Sequence, residues 1–115
     1  AKILIAKSGQ KIKAGVAMFE TLFPLESLEG QELKKSANNT SIVNKLIFGK
    51  NSFLFTGDIS FAAEKQLASF NLKSDVLKVS HHGSKYSTSE KFLSAVSAKI
   101  AVIEVGKNSY ALATN

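Results

Sequence analysis

The chain holds two histidines, and they are adjacent: His81-His82, within Leu77-Lys78-Val79-Ser80-His81-His82-Gly83-Ser84. Apolar strand formers run up to Ser80, and a Gly-Ser turn follows His82. A second polar turn, Thr56-Gly57-Asp58, closes the preceding apolar run, and Asp58 is one of two aspartates in the chain. An imidazole and a carboxylate offered from the ends of successive strands are suitable ligands for a divalent transition metal. The chemistry they point to is metal-assisted hydrolysis. Each motif also has a plainer role. Gly-Asp after a strand is commonly a turn and helix cap, because Asp accepts backbone N–H groups at a helix start. A His pair in a loop is commonly surface. The joint placement favours the metal reading.

That placement depends on the elements around the two turns. Lys2 to Ala6 reads as a short strand. Gly9 and Gly15 punctuate turns around Lys11-Ile12-Lys13. Val16 to Phe23 is rich in strand formers and stops at Pro24. Leu25 to Asn39 is polar and reads as a loop with room for a helical turn. Ser41 to Phe48 and Ser52 to Thr56 are strands joined by a short hairpin turn at Gly49-Lys50-Asn51. Phe61 to Phe70 carries an approximate helical stripe. Val76 to Ser80 is a strand. Ser87-Thr88-Ser89-Glu90 fits a capping box with Ser87 as N-cap, and the helix after it places Phe92, Leu93 and Val96 on one face. Ile100 to Val105 is a last strand. Phe53, Phe55, Phe61 and Phe70 are expected in the core.

From Ser52 onward the order is strand, helix, strand, helix, strand, which implies an α/β sheet. Ligands of open α/β sheets gather at the carboxyl ends of strands. If the three strands are parallel neighbours, Asp58, His81 and Gly106-Lys107-Asn108 lie along one edge.

Composition narrows the function classes. A chain of 115 residues is one domain or part of one. Its 44% hydrophobic and 21% charged residues are ordinary for a globular protein. It has no cysteine, which excludes disulfides, thiolate metal sites and cysteine nucleophiles. No apolar run approaches the roughly 18 residues needed to span a bilayer. The net charge is +6, and all 15 basic residues are lysine. Lysines give point charges suited to non-specific attraction to phosphate backbones, not forks that read base edges. A solvated basic surface with no partner explains the charge equally well. Lys34-Lys35 is the only adjacent basic pair. Ser84 and Ser87 have no evident activating base and suit turn and cap roles. Tyr86 and Tyr110 suit packing more than base stacking. Glu64 and Asp75 suit solvated or capping roles.

Three segments in order carry a family resemblance: Asn38-Asn39-Thr40-Ser41-Ile42-Val43, Phe53-Leu54-Phe55-Thr56-Gly57-Asp58 and Asp75 to Ser84. Ser87-Thr88-Ser89, Ala101 to Gly106 and Asn108-Ser109-Tyr110 continue it. Together they resemble the C-terminal half of a metallo-β-lactamase-fold hydrolase, and more narrowly the hydrolase domain of ComEC-type DNA-uptake proteins and their soluble relatives. The resemblance implies an α/β (α+β) fold, the αββα sandwich, with this chain forming one partial domain over 1–115, its C-terminal half. It implies zinc, or manganese, at the edge of the sandwich. Asp58 matches the carboxylate that can bridge two metals. His81 is favoured as the ligand of the His-His-Gly-Ser run, with His82 in reserve. Asn38 and Asn39 fall near the family's middle histidine. As amides they are poorer ligands and line the site, as do Thr56, Gly57, Gly83, Ser84, Asn108 and Tyr110. In ComEC-type parents the soluble domain lies on the outer side of the cytoplasmic membrane.

The departures from the family pattern are informative. The first family motif, His-x-His-x-Asp-His, is absent and by resemblance belongs upstream of Ala1. A Tyr-Gly-His-Pro-like ending is replaced by Tyr110-Ala111-Leu112, and Glu104 stands where small residues such as serine are common. Zinc wants about four ligands. The resemblance therefore implies a truncated or divergent metal-dependent phosphodiesterase or nuclease, weakly active or inactive alone. The alternatives are a non-catalytic basic binding module on the same scaffold and a structural remnant. DNA or another phosphodiester polyanion is the implied partner. The strands are too apolar to leave one sheet face in water, so the chain is expected to form homo-oligomers, unless residues 1–39 fold back over the sheet.

Overall fold

The computed structural model of the chain describes residues 1–32 and 37–107. It contains one six-stranded mixed sheet whose spatial order follows the sequence. The strands are β1 (Lys11–Ala14), β2 (Ala17–Phe23), β3 (Val43–Phe48), β4 (Asn51–Phe55), β5 (Val76–Lys78) and β6 (Ile100–Val102). β1 to β4 form an antiparallel meander. β4, β5 and β6 are parallel neighbours. Helix α1 (Phe61–Gln66) crosses from β4 to β5, and α2 (Glu90–Val96) from β5 to β6. This is the alternation and the parallel triplet that the sequence predicts. Two-residue turns at Gly15-Val16 and Gly49-Lys50 close the hairpins, as the pairs Ala14–Ala17 and Phe48–Asn51 show.

Both helices pack on one face of the sheet. Leu54 and Leu77 are register partners and fully buried. They share one core with Val43, Ile59, Ala63, Leu67, Phe92 and Val96. Successive strand residues point to opposite faces, so Phe53 and Phe55 leave this core while Leu54 enters it. Phe55 is 40% exposed and Phe61 37%. Only Phe70 of the four expected core phenylalanines packs against the core cluster, from its margin. On α2 the buried pair is Phe92 and Val96, four residues apart on one face. Leu93 directly follows Phe92, about 100° round the helix from that line, and is exposed.

Three local expectations are corrected. Lys2 to Ala6 is not a strand: no neighbouring strand pairs with it, and Ile3 and Leu4 are exposed. Its contacts are local, with Gln10 Nε2 donating to the Ile5 carbonyl and Lys7 N donating to Gln10 Oε1. Residues 11–23 join the sheet edgewise as β1 and β2, so this part of the N-terminal region widens the sheet instead of covering it. The N-cap of α2 is Ser89, whose Oγ accepts from Phe92 N, and not Ser87. Ser87 Oγ turns inward and donates to the carbonyls of Ser80 and Ser84. The buried Glu64 carboxylate accepts the Thr88 and Ser89 N–H groups, where it also faces the positive end of α2.

Asp75 ties the start of β5 to β4. Its Oδ2 accepts from Ser52 N at 2.8 Å and Ser52 Oγ at 2.9 Å, and Lys99 Nζ lies 3.4 Å from Oδ1. The Ser52 backbone and hydroxyl hydrogen bonds, with Lys99 beside them, hold the Asp75 carboxyl below its ordinary 3.8. A depressed carboxyl pKa contributes stability that is present above the unfolded value and lost as pH falls through the folded one. Unfolding of the wild-type chain is therefore expected to become easier as pH drops below about 3.8. Asp75→Asn should flatten that dependence. Urea midpoints measured from pH 5 to pH 2 check this, and parallel curves for the two proteins would count against it.

Candidate metal centre

The site lies at the carboxyl ends of the parallel strands. β4 leads through the fully buried Thr56 into Gly57-Asp58. Thr56 Oγ1 donates to the Lys78 carbonyl at 2.6 Å, which fastens the end of β4 to the end of β5. Gly57 takes φ +55 and packs tightly on Ser41. Ser41 Oγ accepts the Asp58 N–H at 3.0 Å, and the Gly57 carbonyl accepts the His81 N–H at 3.1 Å. The Asp58 loop and the histidine loop are thus fixed to each other through backbone groups.

After β5 the chain forms a tight turn over Ser80–Gly83. His81, His82 and Gly83 are all left-handed, with φ of 47°, 53° and 79°. Left-handed backbone costs a non-glycine residue on the order of 1–2 kcal/mol, and two in succession are strained. The turn is closed by Ser84 N donating to the His81 carbonyl at 2.9 Å and by the Ser87 hydroxyl on the Ser84 carbonyl. Strain of this kind persists where the surroundings over-determine it, and it collects at functional sites.

The turn sends the two imidazoles to different partners. His82 Nε2 lies 3.7 Å from Asp58 Oδ1, and both side chains are partly open to solvent. His82 Nδ1 lies 2.7 Å from the Glu104 carbonyl oxygen. A carbonyl only accepts, so Nδ1 carries the proton, and in the neutral ring the Nε2 lone pair faces Asp58. A backbone carbonyl on the far nitrogen orients metal-ligating histidines in the same way. His81 Nε2 instead lies 3.4 Å from Asn38 Nδ2. Asn38 and Asn39 sit in a short 3-10 turn, Ala37–Thr40, and Asn39 Oδ1 accepts from Ser60 Oγ at 2.6 Å just ahead of α1.

His82 is therefore the histidine that meets Asp58, while His81 and Asn38 form a neighbouring pair. Thr56, Gly57, Gly83 and Ser84 build the turns that carry these side chains. Asn108 and Tyr110 lie outside the described residues, as does Lys34-Lys35. Tyr86 is 63% exposed, with Lys85 Nζ 5.0 Å from its ring centroid, so it is not a packing residue. Two contributors escaped the sequence reading. Ser41 acts through a single hydroxyl in an ordinary strand-entry segment. Glu104 acts through its backbone oxygen, which any residue would supply.

The donor set fits part of a zinc site. Bonds of about 2.1 Å at tetrahedral angles set neighbouring ligand atoms roughly 3.4 Å apart, close to the 3.7 Å separation of His82 Nε2 and Asp58 Oδ1. An imidazole lone pair and a carboxylate oxygen facing each other need a proton or a cation between them. Among the described residues no group of three or more His, Cys, Asp or Glu side chains could hold a metal. The described residues bring together two donors, His82 and Asp58, of the four that zinc prefers.

Comparison with known proteins shows the family. Residues 6–106 match the family model described as the metallo-beta-lactamase superfamily. The chain is similar to "ComE operon protein 3" of Bacillus subtilis (strain 168), 44% identical over 75 residues, covering 64% of this chain and 10% of that protein. It is similar to "Recombination protein 2" of Haemophilus influenzae, 45% identical over 73 residues, covering 64% of this chain and 9% of that protein. "Competence protein ComA" of Neisseria gonorrhoeae is 40% identical over 72 residues, covering 60% of this chain and 10% of that protein. The chain spans about a tenth of the length of these relatives.

Proposed function

The chain belongs to the metallo-beta-lactamase superfamily, and from that premise we propose that it supplies the C-terminal part of a ComEC-type, metal-dependent phosphodiester hydrolase site. The observation that carries the reading is the pair His82 Nε2 and Asp58 Oδ1, 3.7 Å apart at the ends of two parallel strands. In this reading His82 and Asp58 hold zinc or manganese, and the Glu104 carbonyl keeps the His82 proton on Nδ1. Asn38 orients His81 beside them. Asp58 stays anchored by Ser41 while its carboxylate remains free to bind. A bound metal would supply Lewis acidity and an activated water at neutral pH. The lysine-borne charge of +6 favours a polyanionic substrate such as DNA. With two donors the chain alone turns over little substrate.

Zinc titration of the purified chain, by calorimetry or chelator competition, tests this. Weak binding is expected, and Asp58→Asn and His82→Ala should each weaken it at least about tenfold. Leu93→Ala, on an exposed part of α2, should leave it unchanged. Equal affinity in all four proteins would sink the assignment. Strong hydrolysis of a generic phosphodiester by the chain would show that two donors are enough. No helix among the described residues is long and apolar enough to cross a membrane. The second reading, a non-catalytic basic module, rests on that same charge. DNA binding that falls with salt yet survives both site substitutions would favour it.

A further inference from the structure

The strained histidine turn is spanned by a single hydroxyl. Ser87 is buried, and its Oγ lies 3.1 Å from the Ser80 carbonyl oxygen and 3.0 Å from that of Ser84. These two carbonyls flank His81, His82 and Gly83, the three left-handed residues. The hydroxyl proton is therefore shared between the two ends of the turn. The segment that carries Ser87 is in turn fastened to α1. The buried Glu64 carboxylate accepts the N–H groups of Thr88 and Ser89. The Tyr86 carbonyl accepts the Phe61 N–H at 3.1 Å. Thr88 is itself left-handed, with φ of 58°, so the chain bends sharply just after Ser87. A continuous set of hydrogen bonds thus runs from α1, the helix that begins shortly after Asp58, through Glu64 and Ser87 to the turn that aims His82 at Asp58.

Building on Asp58 and His82 as the metal donors proposed above, we infer that Ser87 is a positioning residue for His82, and that Glu64 holds Ser87 in place. Residues with side chains do not favour two consecutive left-handed conformations, so bonds across the turn must select them. Backbone bonds from Ser84 N to the His81 carbonyl and from Ser87 N to the Ser84 carbonyl close the far end. The Ser87 hydroxyl also ties that end back to Ser80, where the chain has just left β5. Without it the turn can relax toward ordinary backbone angles. His82 then swings away from both of its partners, Asp58 at Nε2 and the Glu104 carbonyl at Nδ1. A hydroxyl that merely satisfied buried carbonyls would cost stability when removed and would leave the state of the His82 ring alone.

The test sets Ser87→Ala against Ser74→Ala. Ser74 is also buried, and its Oγ donates to the Leu72 carbonyl ahead of β5, at the strand end away from the site. Both variants should lower the urea midpoint. Only Ser87→Ala should release His82. Imidazole nitrogen NMR of the metal-free protein, at a pH where the ring is neutral, reads this directly. The proton should move from Nδ1, beside the Glu104 carbonyl, toward Nε2, which an unconstrained ring favours. Zinc affinity should fall at least about tenfold in Ser87→Ala and hold level in Ser74→Ala. Glu64→Gln should move both readouts the same way by a smaller amount, and it carries the test if Ser87→Ala does not fold. A folded Ser87→Ala that keeps the proton on Nδ1 would overturn the inference. So would an equal shift in Ser74→Ala, or, where Glu64→Gln carries the test, no shift there. If zinc binding ignores Asp58→Asn and His82→Ala, the metal reading fails, while the metal-free tautomer still decides what Ser87 does.

Discussion

Gly57→Ala is expected to remove a large share of the stability of this chain, at a position that looks like an ordinary turn glycine. Gly57 has φ +55, a conformation that costs a Cβ-bearing residue about 1–2 kcal/mol. A Cβ there would sit 2.8 Å from Ser41 Cβ and 3.1 Å from Ser41 Oγ. Ser41 cannot easily retreat, because its Oγ accepts the Asp58 N–H and its own N–H donates to the Asn38 carbonyl at 3.2 Å. Overpacking of this kind adds roughly 1–3 kcal/mol. The combined loss, about 2–5 kcal/mol, compares with a total of about 5–15 kcal/mol for a typical domain. Thermal unfolding should therefore fall by roughly 10 °C or more. Gly106→Ala is the control, since a Cβ there meets nothing within 4 Å and needs no left-handed backbone. Circular dichroism melts of the two variants decide the matter: equal melting temperatures would show that the Gly57–Ser41 contact has no such weight. The Gly57 carbonyl also receives His81 N. Any fold that survives should therefore carry a displaced histidine turn and weaker zinc binding.

Leu77→Ala should cost about as much, through the core. Leu77 is fully buried in the middle parallel strand, paired with Leu54 on one side and Ala101 on the other. Removing a buried leucine to alanine costs about 2–5 kcal/mol, because lost transfer energy and an unfilled cavity add. β5 is only three residues long, so no neighbouring side chain on the same strand can take over its position. Leu93→Ala, on an exposed part of α2, should change stability by no more than about 0.5 kcal/mol. Urea unfolding of both variants measures the contrast. A Leu93 effect as large as that of Leu77 would mean the helix face has been misassigned.

Much of the architecture is legible before any coordinates. The alternation after Ser52 gives strand, helix, strand, helix, strand because period-2 and helical patterns differ along the chain. Turn glycines and Pro24 mark the ends. Parallel neighbours then follow from short crossovers, and with them the shared edge that carries Asp58 and His81-His82. The assignments that fail do so for tertiary reasons. Lys2 to Ala6 has strand-forming residues but no strand to pair with. Ser87 and Ser89 are both sound N-caps by type, and the choice falls to Ser89 because Glu64, on another helix, claims the N–H groups of Thr88 and Ser89. Phenylalanine is a core residue by composition, yet Phe53 and Phe55 flank Leu54 and so occupy the opposite face.

The metal edge divides in the same way. The sequence by itself determines which residue types arrive there, since Asp58 and the two histidines follow apolar strands at turns rich in glycine. It also determines a lysine-borne net charge of +6 for the chain as a whole. It cannot decide between His81 and His82, because adjacent residues differ only in direction, and direction depends on φ. Two consecutive left-handed residues turn His82 toward Asp58 and leave His81 with Asn38. Nor can it set the tautomer. That is fixed by the Glu104 carbonyl, 22 residues away in sequence and 2.7 Å away in space, and a backbone oxygen leaves no mark on the identity of the residue that carries it.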